Sequence, residues 1–286
     1  MSRAAPIPDL KRALERVIET CDVGARMELD PVGVVRRYRS PLDREIIGLA
    51  ATGIAFGNVK TIRAKLEEIA VRVGPAPHAL AEDARAMKAA MRTFRHRVFV
   101  GDDLARLMIG ARAVQRRSGT LGARFAAHFH ATREDLRESL ARFVDDVREA
   151  GDLKTPKNGR RGPAHLLPDP RAGSGVKRLL LYLRWMVRPA DGIDLGQWDV
   201  PTRALLIPVD THVHKLARNL ALTDRDDLSW KTAEEITAAL RRFDREDPAK
   251  YDFALCHLGM LQRCPSRRDP KRCDGCPVKP VCRHWR

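Results

Sequence analysis

The chain has 286 residues, enough for one large or two modest domains with a buried core. An apolar fraction of 44% excludes a disordered chain, and 53 Lys and Arg against 37 Asp and Glu leave a formal charge of +16, a surplus that attracts polyanions such as nucleic acid. The opening residues, Met1 to Pro6, lack a signal-peptide core and the longest apolar run, about 46–57, is too short for a bilayer, so a cytoplasmic protein with no membrane partner is expected.

Helical periodicity dominates the pattern. Leu10, Leu14, Val17, Ile18 and Cys21 share one helical stripe, with Asp9 placed to cap its start. Ser40 and Pro41 read as the cap and first residue of a segment apolar on most sides, hence a buried helix. Leu136, Leu140, Phe143, Val144 and Val147 repeat the spacing, opened by a cap at Thr132. From Gly151 to about Ala172 runs an irregular stretch rich in Pro, Gly and basic residues (Lys154, Lys157, Arg160, Arg161), and loops of that length are commonly functional. An apolar helix over 179–187 follows, then a second interruption from Pro189 to Pro208. Within it Leu205-Leu206-Ile207 is the best strand candidate, and it is short. Ala233, Ile236, Leu240 and Phe243 form a further stripe. No segment sustains period-two alternation, so the expected fold class is all-α.

The most specific motif lies at the C-terminal end. Cys264, Cys273, Cys276 and Cys282 follow the pattern C-x8-C-x2-C-x5-C. Four thiolates so close in sequence can wrap one metal centre, and their softness suits zinc or an iron–sulfur cluster. Spacing alone does not choose between the two. Arg267, Arg268, Lys271, Arg272 and Lys279 outnumber Asp269 and Asp274 around them, which fits a loop facing phosphate. Cys21 and Cys256 fall on apolar helical faces and read as ordinary buried cysteines.

Two further segments carry chemistry. Gly173-Ser174-Gly175-Val176-Lys177 places two glycines before a helix, a turn whose backbone N–H groups can approach a phosphate at the positive end of the helix dipole. Val209-Asp210-Thr211-His212-Val213 places a carboxylate at the start of another. Each has a plainer reading: the glycines as a simple turn, Asp210 or Thr211 as a cap, Lys177 as a solvated lysine. His212, His214 and Lys215 open that second helix and suit phosphate contact or capping. Trp185, Trp198 and Phe56 are candidates for a base-stacking wall, although such aromatics are more often core.

Taken in order, these segments resemble the helix-hairpin-helix DNA glycosylase superfamily. The glycine turn resembles its G-h-G-x-K hairpin, Val209 to Val213 its V-D-T-H-V segment, and the cysteine loop, led by Leu255-Cys256-His257-Leu258-Gly259, that of endonuclease III and the adenine glycosylases. Three features depart from the pattern: Ser174 stands at an aliphatic position, the first cysteine gap carries two extra residues, and the gap from Lys177 to Asp210 is longer, closer to the archaeal 8-oxoguanine glycosylase branch. The resemblance implies a two-domain helical fold, with residues 1–39 plus 208–286 forming a cluster domain and 40–207 a helical barrel domain that holds the hairpin near 166–188. It implies a monomer that binds double-stranded DNA through Gly173, Ser174, Gly175, Arg178, Thr211 and His212, and a [4Fe–4S] cluster on the four cysteines, with zinc the alternative. It also implies base excision with AP lyase activity: Lys177 attacks C1′ and Asp210 stabilises the oxocarbenium-like transition state on a flipped, damaged base. The other readings are a non-catalytic iron–sulfur DNA-binding protein and a zinc-stabilised RNA-binding protein.

Overall fold

The computed structural model describes residues 5–154, 162–262, 264–265 and 267–286, and these are mostly helical. Helix α1 (Ile7–Glu19) buries Leu10, Leu14 and Val17 as the stripe requires. It starts earlier than Asp9, at Pro6, so Asp9 lies in the first turn instead of capping it, and Cys21 falls beyond the helix end. Short helices α2 (Val23–Met27) and α3 (Val32–Val35) lead to α4 (Pro41–Ile54), with Ser40 at its N-cap and buried residues all round. Then come α5 (Val59–Val73), α6 (Pro77–Leu80) and α7 (Ala84–Met91). A tight hairpin, β1 (Arg95–His96) with β2 (Phe99–Val100), interrupts the helices. Two residues per strand are too few to show alternation, which is why the sequence does not announce it. Helices α8 (Gly101–Ser118), α9 (Leu121–Ala131) and α10 (Leu136–Ala150) follow. Asp135 caps α10, whereas Thr132, the expected cap, ends α9.

Of the irregular stretch after α10, residues 155–161, with Lys157, Arg160 and Arg161, lie outside the described residues. It continues as α11 (Gly162–Leu166) and a turn of 3-10 helix at Pro170–Ala172. Helices α12 (Lys177–Val187), α13 (Thr211–Asn219), α14 (Trp230–Leu240) and α15 (Asp252–Gln262) complete the chain. Leu205, Leu206 and Ile207 are buried but unpaired as a strand; the Ile207 N–H donates to Thr237 Oγ1 at 3.0 Å instead. No helix among the described residues is long and apolar enough to cross a membrane.

The chain divides into two compact units: residues 1–23, 173–180 and 201–286 form the first, and 24–172 with 181–200 the second. The hairpin segment thus groups with the C-terminal part and residues 24–39 with the middle, unlike the expected boundaries. The second unit is organised around Glu45 of α4, which is 1% exposed. Its Oε1 accepts from the Gly122 N–H and Trp198 Nε1, its Oε2 from the Leu121 N–H and Gln115 Nε2, all within 2.9 Å. Burial pushes its carboxyl pKa up while these four donors pull it down. Trp198 stacks on Phe125 and meets Tyr182 edge-on, so the ring is core and not a base-stacking wall; Trp185 is fully buried in the same unit.

In the first unit, α1 is held by Glu15, which accepts from the Tyr251 hydroxyl at 2.7 Å and pairs with Lys250 at 3.1 Å. Helices α13 and α15 lie close together at Gly259, where an added Cβ would come within 3.0 Å of His212 Cβ.

Candidate functional site

The glycine turn, Lys177, Asp210 and the four cysteines all belong to the first unit. Gly173 takes a φ of +84°, a conformation that costs glycine little. Gly175 is required for a different reason. Its N–H donates to the Leu228 carbonyl at 3.0 Å, and a Cβ there would sit 2.5 Å from that oxygen. With the Trp230 N–H donating to the Gly173 carbonyl at 3.3 Å, Ser174 and Ser229 form an isolated antiparallel bridge. The turn is therefore pinned to the segment that opens α14. Val176 then takes a φ of +37°, a left-handed conformation unusual for a β-branched residue, which costs about 1–3 kcal/mol.

Lys177 is the first residue of α12 and half-buried; among the described residues its side chain makes no hydrogen bond or ion pair, with Asp210 or any other group. Ser174 is exposed beside it. Arg178, expected to face phosphate, is instead buried with 9% of its surface exposed, because it is the position at which the helix turns inward. Burial lowers its pKa to about 10.

Asp210 is the N-cap of α13. Its Oδ1 accepts from the N–H groups of His212 and Val213, both at 2.9 Å, so the capping reading holds. Its second oxygen does something else: Oδ2 accepts a hydrogen bond from Cys256 Sγ on α15 at 3.5 Å. Cys256 is thus half-buried and engaged, not an inert core thiol. Thr211 and His212 are exposed at the same helix start, while His214 Nε2 meets the Arg225 carbonyl at 3.0 Å.

All four loop cysteines line one cavity, together with Asn219 from the end of α13 and with His284 and Trp285. Asn219 Nδ2 donates to Cys264 Sγ at 3.2 Å and to the Pro265 carbonyl at 3.3 Å, and the Arg283 N–H returns to the Asn219 carbonyl at 2.8 Å. Burial pushes the Cys264 thiol up to about 11; the Asn219 hydrogen bond works against this and the other three cysteines add to it. Burial raises Cys276 and Cys282 in the same direction. Bound cations remove this penalty, since ligation takes the place of the thiol proton. Among the described residues no three Cys, His, Asp or Glu side chains gather into a group that could hold a single metal ion. Two observations nevertheless fit a thiolate-held centre: the donor set is purely sulfur, and the cavity wall contains two buried ring nitrogens, Trp285 Nε1 and His284 Nε2, that have no hydrogen-bond partner among the described residues.

Compared with protein-family models, residues 30–261 match the family described as protein of unknown function (DUF2400). The chain belongs to that family. The DUF2400 match spans Lys177 and Asp210 and stops short of Cys264, so the cysteine loop lies outside it. No curated protein and no solved structure matches the chain. Three supporting residues of this DUF2400 member escape the sequence reading: Cys256, Asn219 and Asp227. Asp227 Oδ1 accepts from the Ser229 N–H at 2.9 Å and Thr232 Oγ1 at 2.7 Å, fixing the strand of chain that pins the glycine turn. Hydrogen bonds from Ser229 and Thr232 hold its carboxyl well below the usual range. The Asp-Leu-Ser-Trp run before α14 is an available signal for it, an Asx turn leading into a serine cap.

Proposed function

We propose that the chain is a DNA base-excision glycosylase with AP lyase activity. The observation that carries this reading is the difference between its two key groups: Lys177 stands at a helix start, behind a glycine turn, with no partner for its amine among the described residues, while Asp210 is held by two backbone N–H groups and a thiol. An unpaired amine is free to act as a nucleophile once neutral. A carboxylate fixed by backbone N–H groups at a helix start is held in place to offset positive charge on an oxocarbenium-like sugar.

In this mechanism the backbone N–H groups of Val176 and Lys177, at the positive end of the α12 dipole, grip a phosphate, while the Gly175 N–H stays on the Leu228 carbonyl. The target nucleotide leaves the stack. As the C1′–N bond breaks, its electron pair departs with the base, and Asp210 offsets the positive charge growing on the sugar. The neutral Lys177 amine adds to C1′ and loses a proton; the ring oxygen leaves C1′, and the resulting iminium permits elimination of the 3′ phosphate. Cys264, Cys273, Cys276 and Cys282 would hold an iron–sulfur cluster, which cross-links the C-terminal loop. Arg267, Arg268, Lys271 and Arg272 then meet the DNA backbone from a fixed loop.

The dual engagement of Asp210 also suits a second reading, a DNA-binding protein without chemistry in which that residue is purely a cap. Borohydride trapping separates the two. Duplexes containing an abasic site, 8-oxoguanine, thymine glycol or uracil are incubated with wild type and with Lys177→Ala. A covalent adduct present in wild type and absent in Lys177→Ala is the expected result. No adduct and no base release on any duplex, with the DNA still bound, leaves only the binding reading.

A further inference from the structure

Two buried nitrogens on adjacent residues, both without partners among the described residues, are unusual. Leaving a buried N–H unsatisfied costs about 1–3 kcal/mol, and most native structures avoid it. Here Trp285 Nε1 and His284 Nε2 have no hydrogen-bond partner among the described residues, and both residues line the cavity of the four cysteines. An indole N–H is a donor and nothing else, so what Trp285 lacks is an acceptor.

The ring is also held firmly. The Arg268 guanidinium lies 4.2 Å from its centroid and the Lys279 ammonium 4.6 Å. The Trp285 backbone N–H donates to the Cys282 carbonyl at 2.9 Å, tying the ring to the last cysteine of the loop. Two cation–π contacts on one indole, each worth about 0.5–2 kcal/mol, fix its orientation as packing alone does not. An N–H···S contact already exists on this cavity wall, from Asn219 to Cys264.

We propose that Trp285 is a positioning residue for the metal centre: its indole N–H donates to a sulfur, thiolate or sulfide, of the cluster held by Cys264, Cys273, Cys276 and Cys282. This rests on the cluster assignment made above. A hydrogen bond to sulfur favours the reduced, more negative state, so it raises the reduction potential and slows loss of the centre. Asn219 acts in the same direction from the opposite end of the loop sequence. His284 and Trp285, which follow Cys282, are therefore part of the cofactor site.

The test uses the full-length protein as purified, with iron and acid-labile sulfide measured first. Trp285→Phe keeps an aromatic ring for Arg268 and Lys279 and removes the N–H together with the five-membered ring of the indole. Its visible absorption per protein is expected to match wild type. Its reduction potential is expected to fall by an amount equal to a several-fold to tenfold change in the oxidised-to-reduced ratio, up to about 59 mV for a one-electron couple. Iron release to a chelator is expected to quicken by a similar factor. Circular dichroism of both proteins controls for folding, and Asn219→Leu provides a second donor deletion with the same expected sign. If the cluster is present and both potential and release rate are unchanged in a folded Trp285→Phe, the proposed hydrogen bond does not exist and the cluster assignment stands. If iron and sulfide are absent, the cluster assignment fails and this inference fails with it.

Discussion

Asp210 has a structural duty and a proposed chemical one, and two substitutions pull them apart. Asp210→Asn keeps an oxygen where Oδ1 accepts from the N–H groups of His212 and Val213. Asn caps helices about as well as Asp, so the loss is confined to the charge at the positive end of α13, about 0.3–1 kcal/mol. At the other end of the carboxylate, the amide nitrogen replaces Oδ2, and the contact with Cys256 Sγ simply reverses its donor. Asp210→Ala removes both acceptors at once. The cap then costs about 1 kcal/mol, and the released Cys256 contact adds a few tenths, for a total of roughly 1–2 kcal/mol. Chemistry ranks the pair differently. A neutral amide cannot offset positive charge on the sugar, so both variants are expected to lose base release by about 100-fold or more, as when a transition-state electrostatic contact is deleted. Urea unfolding followed by circular dichroism gives the stabilities, and single-turnover base release on the best trapping duplex gives the rates. A large, equal rate loss with clearly unequal stabilities is the expected outcome. If Asp210→Asn retains base release within a few-fold of wild type, the carboxylate charge plays no part in the chemistry and the residue is a cap alone.

Three other outcomes follow from the same structure. Glu45→Gln leaves two of four buried donors facing an NH2 group, and a loss of about 2–4 kcal/mol in urea unfolding is expected, although no surface residue changes. Gly175→Ala drives a Cβ to 2.5 Å from the Leu228 carbonyl oxygen, breaking the bridge between Ser174 and Ser229; duplex binding measured by anisotropy is expected to weaken by about tenfold while the melting temperature falls by only a few degrees. Burial works to raise the Asp146 pKa, but hydrogen bonds from Arg124 and His128 outweigh it and hold the group below its ordinary 3.8. A depressed carboxyl contributes stability above its unfolded pKa and loses it as pH falls through the folded one, so the acid limb of wild-type stability below about pH 4 is expected to flatten in Asp146→Asn, read by urea midpoints across that range.

What the sequence conveys depends on how local its cause is. The stripes of α1, α10 and α14 are legible because each helix buries one face, and a face is written every third or fourth residue. Their caps are less so: Asp135, not Thr132, starts α10, since several hydrogen-bonding residues in a row each offer a workable start. The glycine turn is readable as a turn, but Gly175 is needed because the Leu228 carbonyl stands against it, fifty-odd residues away along the chain. Arg178, given a DNA contact by the family resemblance, is buried, because the helix phase fixed by the apolar residues that follow turns it inward. Cys256, legible only as a buried cysteine, and Asn219, not legible at all, acquire meaning only when α13 brings Asp210 to one end and Asn219 to the other. A nine-residue helix spans about 14 Å, so α13 is a rigid strut from the candidate carboxylate to the first cysteine of the loop. Any force that reorders the cysteine loop therefore acts on the helix that Asp210 caps. If the proposed cluster is held there, its loss is expected to reach the proposed catalytic carboxylate through α13, without the loop touching the nucleotide.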